Sequence, residues 1–315
     1  MLDFSWIVKD EDQGLTAEEL LKKRFHCSSS LVKEIRLRGE LLINGRKSLM
    51  KTPLHLFDEV YARPPIKESA PLCFPEDQRP LFLNEWIIVM SKKANQVVHP
   101  CFNKEIEDLC SLISATTLHP VNRLDRDTSG LVIIARNGHA HYQFSKSKIK
   151  KEYIAISHGR LPSKEGRIKI GITRDPASII ERIPHIEGKK SETEWKELAY
   201  SNKSNLSLVR FKLHTGRTHQ IRVHSLWMAC PLLGDTMYGL DKIPLCLERG
   251  HLSDERRETA AKLAASKVNQ EVNQELNRQA LHAAFLTFTD PLSKKRIAID
   301  DPLPKDMQRI IQEFF

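Results

Sequence analysis

The sequence predicts an α+β chain built as two units. Three observations carry this expectation. Short helices with clear start signals stand beside short strands between residues 15 and 63. Alternating apolar and polar residues mark further strands beyond residue 80. Between them, residues 64–80 open on Pro64-Pro65 and contain Pro71, Pro75 and Pro80, which reads as a linker. The expected division is a first unit at 1–64, a linker at 65–80 and a larger second unit at 81–315. With 315 residues the chain has room for both, one with a sizeable core.

Composition narrows the class. Apolar residues make up 40%, ordinary for a soluble globular protein. No run approaches the ~20 apolar residues of a membrane helix. The first residues, MLDFSWIVKDEDQG, carry an early acid and no basic stretch, so no secretory signal is expected. The cysteines at 27, 73, 101, 110, 230 and 246 are scattered without a C-x-x-C pair, which fits reduced thiols in a cytoplasmic protein better than disulfides or zinc. Net charge is +9. Between residues 22 and 51, nine Lys/Arg stand against Glu34 and Glu40, a net of +7. That clustering is an electrostatic footprint for a polyanion.

In the first unit, Thr16 and Glu19 form a T-x-x-E capping box opening a helix with Leu20, Leu21 and Phe25 inward. Ser28-Ser29-Ser30 caps a second helix with Leu31, Val32 and Ile35 on its apolar side and Gly39 as its stop. Lys33, Arg36 and Arg38 are left for its exposed side. Leu41-Leu42-Ile43 is a strand turning at Asn44-Gly45 into Arg46 and Lys47, and Asp58–Ala62 is a closing strand. Two short helices, a basic face and a strand ending in Ile-Asn-Gly resemble the S4 RNA-binding domain. The resemblance implies that Lys33, Arg36, Arg38, Arg46 and Lys47 meet RNA.

In the second unit, Trp86–Met90 reads as a strand, followed by Lys92-Lys93 and Val97-Val98-His99-Pro100. Residues 119–136, HPVNRLDRDTSGLVIIAR, pass from a charged loop through Gly130 into the buried strand Leu131–Ile134. His139–Lys148 reads as a short helix, and Lys150–Ile156 alternates as a strand. Residues 160–200 read as hairpins and loops. Leu206–His214 alternates again. Thr218 is placed to cap a helix with Val223, Leu226, Trp227 and Cys230 on one stripe, ended by Pro231. Ser253 is placed to cap a long polar helix over 253–278, read as a peripheral insertion. A strand at Arg296–Ile299 and a short helix close the chain.

The run Arg123-Leu124-Asp125-Arg126-Asp127-Thr128-Ser129-Gly130 resembles the signature loop of the RluA-type pseudouridine synthases. Asn122 stands where that family usually has His. Gly216-Arg217-Thr218-His219-Gln220-Ile221-Arg222-Val223-His224 resembles the family's second motif throughout. Pro231-Leu232-Leu233-Gly234-Asp235 continues it, with Cys230 where His is common. Lys151-Glu152-Tyr153-Ile154-Ala155 and Arg278-Gln279-Ala280-Leu281-His282-Ala283 match two further segments. The Lys-Pro pair near residue 93 is matched in part, with Ala94 in place of Pro.

The resemblance implies a mixed, largely antiparallel central sheet with flanking helices and an RNA cleft across it; periodicity alone does not give that sheet. It implies isomerisation of uridine to pseudouridine: the N1–C1′ bond breaks, the uracil turns, and C5 joins C1′. No cofactor and no metal are expected. Asp125 becomes the carboxylate that attacks C1′ or takes a sugar proton. Arg222 pairs with it. Tyr153 stacks on the uracil and helps with the C5 proton. Arg123 fills the gap left by a flipped base. Leu281, Arg217, His219 and Gln220 adjoin the substrate.

Structured RNA is the expected partner, large-subunit ribosomal rather than transfer RNA, and the chain is expected to be a monomer. His214, His219 and His224 are not a zinc set, because five-residue spacing on a helix places neighbours about 140° apart. Two other readings stand beside the synthase: a non-catalytic S4-type RNA-binding protein with a degenerate enzyme domain, and a glycosidase. The latter needs a second carboxylate, and only Asp127 is near in sequence.

Overall fold

Two sheets carry the chain. The structure is a computed structural model describing residues 3–65, 71–99, 108–244 and 253–315. Pro100, Cys101, Cys246 and part of the expected linker lie outside the described residues.

The first sheet has four strands in the order Phe4–Ile7, Glu59–Arg63, Glu40–Ile43, Arg46–Lys47. The capping box forms: the Thr16 hydroxyl accepts from the Glu19 amide and the Glu19 carboxylate accepts from the Thr16 amide, starting the helix Ala17–Phe25. Ser28 caps Ser29–Arg38, which buries Val32 and Ile35. Asn44 and Gly45 both take left-handed backbone angles, φ 52° and 72°, and close the tight hairpin. The strand Phe4–Ile7 is not foreseen by the sequence reading; at four residues its alternation is too short to register, and pairing with Glu59–Arg63 creates it.

The basic cluster is also refined. Arg24 and Lys23 bind Asp12, Arg24 also binds Glu11, and Lys22 binds Glu18. These acids lie just outside the 22–51 window. Lys33, Arg36, Arg38, Arg46, Lys47 and Lys51 are exposed.

The second sheet has ten strands. Its main path runs Glu165–Ile168, Thr193–Ser201, Leu206–Leu213, Lys150–His158, Leu281–Thr289, Ser129–Ala135, Ile87–Lys92, Phe82–Leu83. It is mixed and largely antiparallel, as expected. Among the described strands, the parallel pair is Ser129–Ala135 with Leu281–Thr289, joined only at His282–Ser129 and Ala283–Gly130. Gly130 is needed there: its φ is +113°, and a Cβ would lie 2.4 Å from the Ala283 carbonyl oxygen.

Several local expectations are corrected. The helix expected from Thr218 begins at Gln220, because His219 is left-handed and cannot continue a helix backwards. It ends at Trp227, so Cys230 lies beyond it. The expected 253–278 helix is two, Asp254–Ala265 and Lys267–Asn273, broken at Ser266, whose hydroxyl caps the second. Nor is this segment merely peripheral: Val272 and Leu276 share a core cluster with Met307 and Ile310. Residues 71–80 do not hang free. Leu72 and Phe74 pack on the second unit's core, and Cys73 donates its amide to the Ile113 carbonyl. The two units touch: Phe4 meets the His139 ring at 5.4 Å, and Gln143 Nε2 donates to the Phe25 carbonyl.

Three buried histidines are held neutral. His158 donates from Nε2 to Asn273 Oδ1 and accepts at Nδ1 from the Asn269 amide, so both nitrogens are satisfied without charge. His224 bonds Thr193 and the Ile170 carbonyl. Burial pushes His139, His158 and His224 each down to about 4. Below the unfolded value of ~6.5 the unfolded chain takes up protons that the folded chain refuses. Stability should therefore fall as pH drops from ~6.5 to ~4, by up to about 3 kcal/mol per ring. Urea titrations across this range should show uptake of roughly 2–3 protons on unfolding near pH 5. Unchanged stability between pH 7 and pH 5 would contradict the neutral burial of these rings.

Candidate active site

A cleft of about 770 Å³ opens over the centre of the second sheet. Arg123, Asp125, Tyr153, Arg217, His219, Gln220, Arg222 and Leu281 all line it, so the structure gathers every expected residue of the second unit in one place. Asp125 sits on the loop that leads into Ser129–Ala135. A turn tightens this loop: the Thr128 amide donates to the Asp125 carbonyl.

Arg222 lies one turn into the helix Gln220–Trp227 and is 6% exposed. Its Nη1 donates to Asp125 Oδ2 at 3.2 Å. Its stronger grip is elsewhere. Nε and Nη2 donate to the two oxygens of Asp235 at 2.7 and 2.8 Å, a parallel two-bond fork. Asp235 is fully buried and also accepts the amides of Met237 and Tyr238. Arg222 is raised above the usual guanidinium range by its two carboxylate partners, against the opposing effect of burial.

His219 occupies the left-handed region, φ 58°, a conformation His tolerates better than most side chains. Its Nδ1 lies 2.9 Å from the Tyr238 hydroxyl, which accepts the Arg182 amide. The Tyr238 proton is thus free to go to Nδ1, leaving Nε2 as the protonated nitrogen. Nε2 faces Asp125 Oδ1 at 3.9 Å. Burial lowers the His219 ring, with Asp125 partly opposing it, so the ring is neutral at pH 7.

The geometry is that of one aimed carboxylate beside a buried cation in an open cleft. The family model for RNA pseudouridylate synthase matches residues 86–227. Uncharacterized RNA pseudouridine synthase YjbO of Bacillus subtilis is 32% identical over 87% of this chain and 90% of its own length. Ribosomal large subunit pseudouridine synthase D of Zymomonas mobilis is 31% identical over 74% of this chain and 71% of its own. This chain belongs to the RNA pseudouridine synthases. Human RNA Pseudouridylate Synthase Domain Containing 4 shares the fold, with a TM-score of 0.53 at 23% identity over 74% of this chain and 91% of that one. The RluA-type character read from the motifs agrees with these relatives. The chain is thus an isomerase acting on RNA, and a non-catalytic binding protein with a degenerate enzyme domain is not favoured.

The remaining residues of this synthase site have distinct placements. Tyr153 is 6% exposed on Lys150–His158, with Leu281 beside it in the same apolar cluster. Burial, with Asp125 adding to it, pushes the Tyr153 phenol above its usual range, so the hydroxyl is neutral. Arg123 is exposed at the mouth. Arg217 is exposed and donates Nε to the Lys190 carbonyl. Gln220 is buried with its amide wholly engaged: it accepts from Thr215 and from the Arg217 amide, and donates to Glu192 and Thr193. Its observed work is to fix the turn under the cleft. Asn122 bonds the strand behind the loop, accepting the Ile133 amide and donating to the Leu131 carbonyl. That positioning needs no titratable ring. Asp127 pairs with Arg126 on the outer side.

Sequence reading missed Asp235, Tyr238 and Lys92. Asp235 and Tyr238 lie in a matched run but carried no assigned role, since only the fold brings them to Arg222 and His219. Gly234, at φ +70°, makes the turn possible: a Cβ there would meet the Arg278 carbonyl oxygen at 2.2 Å. Asp235 also supplies the second carboxylate that a glycosidase needs. With both oxygens committed to Arg222 and one also to two amides, it is not free to act as an acid. Among the described residues no cluster of His, Cys, Asp and Glu could hold a metal. His214 instead bonds Glu194.

Arg222→Lys tests the shared guanidinium. A lysine keeps the charge but cannot fork onto Asp235 and reach Asp125 together. Turnover should fall by ~100-fold or more and stability by on the order of 2 kcal/mol. Tritium release from RNA bearing 5-tritiated uridine and urea unfolding measure the two effects. A lysine variant as active and as stable as the parent would show that the fork is dispensable.

Proposed function

We propose that this chain isomerises uridines in structured large-subunit ribosomal RNA, with Asp125 acting on the sugar and the first unit docking the RNA. The observation that carries it is the cleft itself. Asp125 lines it, aimed by its bond from Arg222, and the neutral Tyr153 and Leu281 line the same cleft. A base leaving its stack finds an apolar and aromatic floor there. The carboxylate then adds at C1′ or removes a sugar proton to give a glycal; either route requires one ionised oxygen pair held against the sugar. Arg123, exposed at the mouth, is placed to fill the space the base vacates. Arg217 and His219 adjoin the substrate, and Gln220 shapes the turn that presents them.

The large-subunit reading rests on relatives named ribosomal large subunit pseudouridine synthase D in Zymomonas mobilis and Haemophilus ducreyi. The first unit supports an S4-like assignment through two helices on a small sheet, with Lys33, Arg36 and Arg38 exposed on one helix and Arg46 and Lys47 at the hairpin. Free thiols at Cys27, Cys73, Cys110 and Cys230 suit work in the cytoplasm.

Asp125→Asn should keep RNA binding and lose turnover by ~10³-fold or more, read as tritium release. Activity within tenfold of the parent would sink the assignment. Replacing Lys33, Arg36 and Arg38 together by Ala should flatten the slope of log affinity against log salt by roughly 2–3 units. The single-turnover rate of saturated enzyme should stay unchanged. An unaltered slope would mean that the basic face is only solvated. Carbodiimide mapping of pseudouridines in cells with and without the protein identifies the RNA.

A further inference from the structure

The Asp125 loop enters the sheet at its parallel junction. Parallel strands start at the same end, so the chain leading into Leu281–Thr289 lies against the chain leading into Ser129–Ala135. That neighbour grips the loop residue by residue. Arg278 Nη1 donates to the Asp127 carbonyl at 3.3 Å. Gln279 Nε2 donates to the Thr128 hydroxyl at 3.0 Å. His282 Nδ1 bonds the Ser129 hydroxyl at 3.0 Å. From the other side, Lys92 Nζ donates to the Arg126 carbonyl at 2.7 Å, and to those of Lys93 and Gln96. Four consecutive residues after Asp125 are each held by a buried side chain. None of the four gripping residues lines the cleft.

Burying the Arg278 cation here is costly, and an apolar residue of similar size would hold a sheet seam as well. Hydrogen bonds to named backbone atoms give direction instead. Arg278 is itself aimed. Its Nε and Nη2 fork onto Asp306 at 2.7 and 3.0 Å. Asp306 lies in the first turn of the helix Lys305–Phe314, and its side chain is 38% exposed. Asp306 lies outside both the matched family region, 86–227, and every run matched in the sequence.

We propose that Asp306 and Arg278 are positioning residues for Asp125: the fork fixes the guanidinium, the guanidinium fixes the Asp127 carbonyl, and the loop then presents the carboxylate to Arg222. This rests on Asp125 being the catalytic carboxylate. A displacement of ~1 Å at a reacting group can cost ~10²-fold in rate.

The test uses the full chain with Asp306→Asn, Arg278→Lys and Asp306→Glu, beside Asp125→Asn as a control. Single-turnover tritium release at saturating enzyme, RNA affinity and the urea midpoint are measured for each. Asp306→Asn should slow the bound-state step by ~10-fold and Arg278→Lys by ~30-fold, with RNA affinity within about twofold. Asp306→Glu, whose longer carboxylate still reaches the fork, should recover most of the rate. The double variant Asp306→Asn, Arg278→Lys should be no slower than Arg278→Lys alone, since both act along one path. The proposal is overturned if both variants keep the full rate while Asp125→Asn is dead. It is equally overturned if the loss follows only the fraction unfolded, or if affinity falls as much as rate. An active Asp125→Asn would instead overturn the catalytic assignment on which it rests.

Discussion

One guanidinium shared between two carboxylates organises this protein. Arg222 is too buried to be left unpaired, and Asp235 alone satisfies it with two parallel bonds. That fork fixes the plane of the group, and the remaining nitrogen then points at Asp125. Much local structure exists to make this meeting possible. The left-handed His219 starts the helix that carries Arg222, and the Gly234 turn delivers Asp235. Asn273 braces that turn by accepting the Gly234 amide. Two acids and one base leave the cluster with a net negative charge, because His219 is neutral. A second anion, the RNA backbone, must approach it. Arg123 and Arg217 are exposed at the cleft and add positive charge there.

The sheet explains why the site lies where it does. Two antiparallel halves meet at a parallel junction of two residue pairs. Antiparallel neighbours send their connecting loops to opposite ends, whereas the parallel junction brings two incoming segments together. A gap opens above the seam, and the loop with Asp125 hangs over it. The same seam is short, with only two residue pairs between two long central strands. Buried polar side chains from Lys92 and residues 278–282 compensate for the missing ladder.

Much of this was legible in the sequence. Asp125, Tyr153, Arg222 and Leu281 stand in specific motifs, and the cleft collects them. Strands with strict alternation, such as Leu206–Leu213, and helices with capping boxes were read close to their true bounds. What escaped depends on contacts distant in sequence. Nothing around Asp235 shows that Arg222 will choose it as the main partner. Lys92 sits in a strand ending like many others, yet its ammonium is buried and pushed down to about 7, chiefly by burial. The helix from Gln220 starts late because His219, bonded to Tyr238, takes a left-handed conformation that a helix start signal at Thr218 does not announce. The basic window from 22 to 51 overstated the free charge, since Glu11, Asp12 and Glu18 stand just upstream.

That last correction bears on how binding and chemistry divide. A lysine already bound to an acid must give up its partner to meet a phosphate, so its net gain is small. Lys22, Lys23 and Arg24 are in that position. Lys33, Arg36, Arg38, Arg46, Lys47 and Lys51 form no ion pair with another described residue, so no described acid competes with a phosphate for them. Counterion release then favours contact through these residues over the paired ones. They lie on the helix Ser29–Arg38 and the hairpin after it, while the cation that bonds Asp125, Arg222, is buried in the second unit. Affinity built from these exposed cations can vary without disturbing the carboxylate, because among the described residues the two sets of charges share no ion pair.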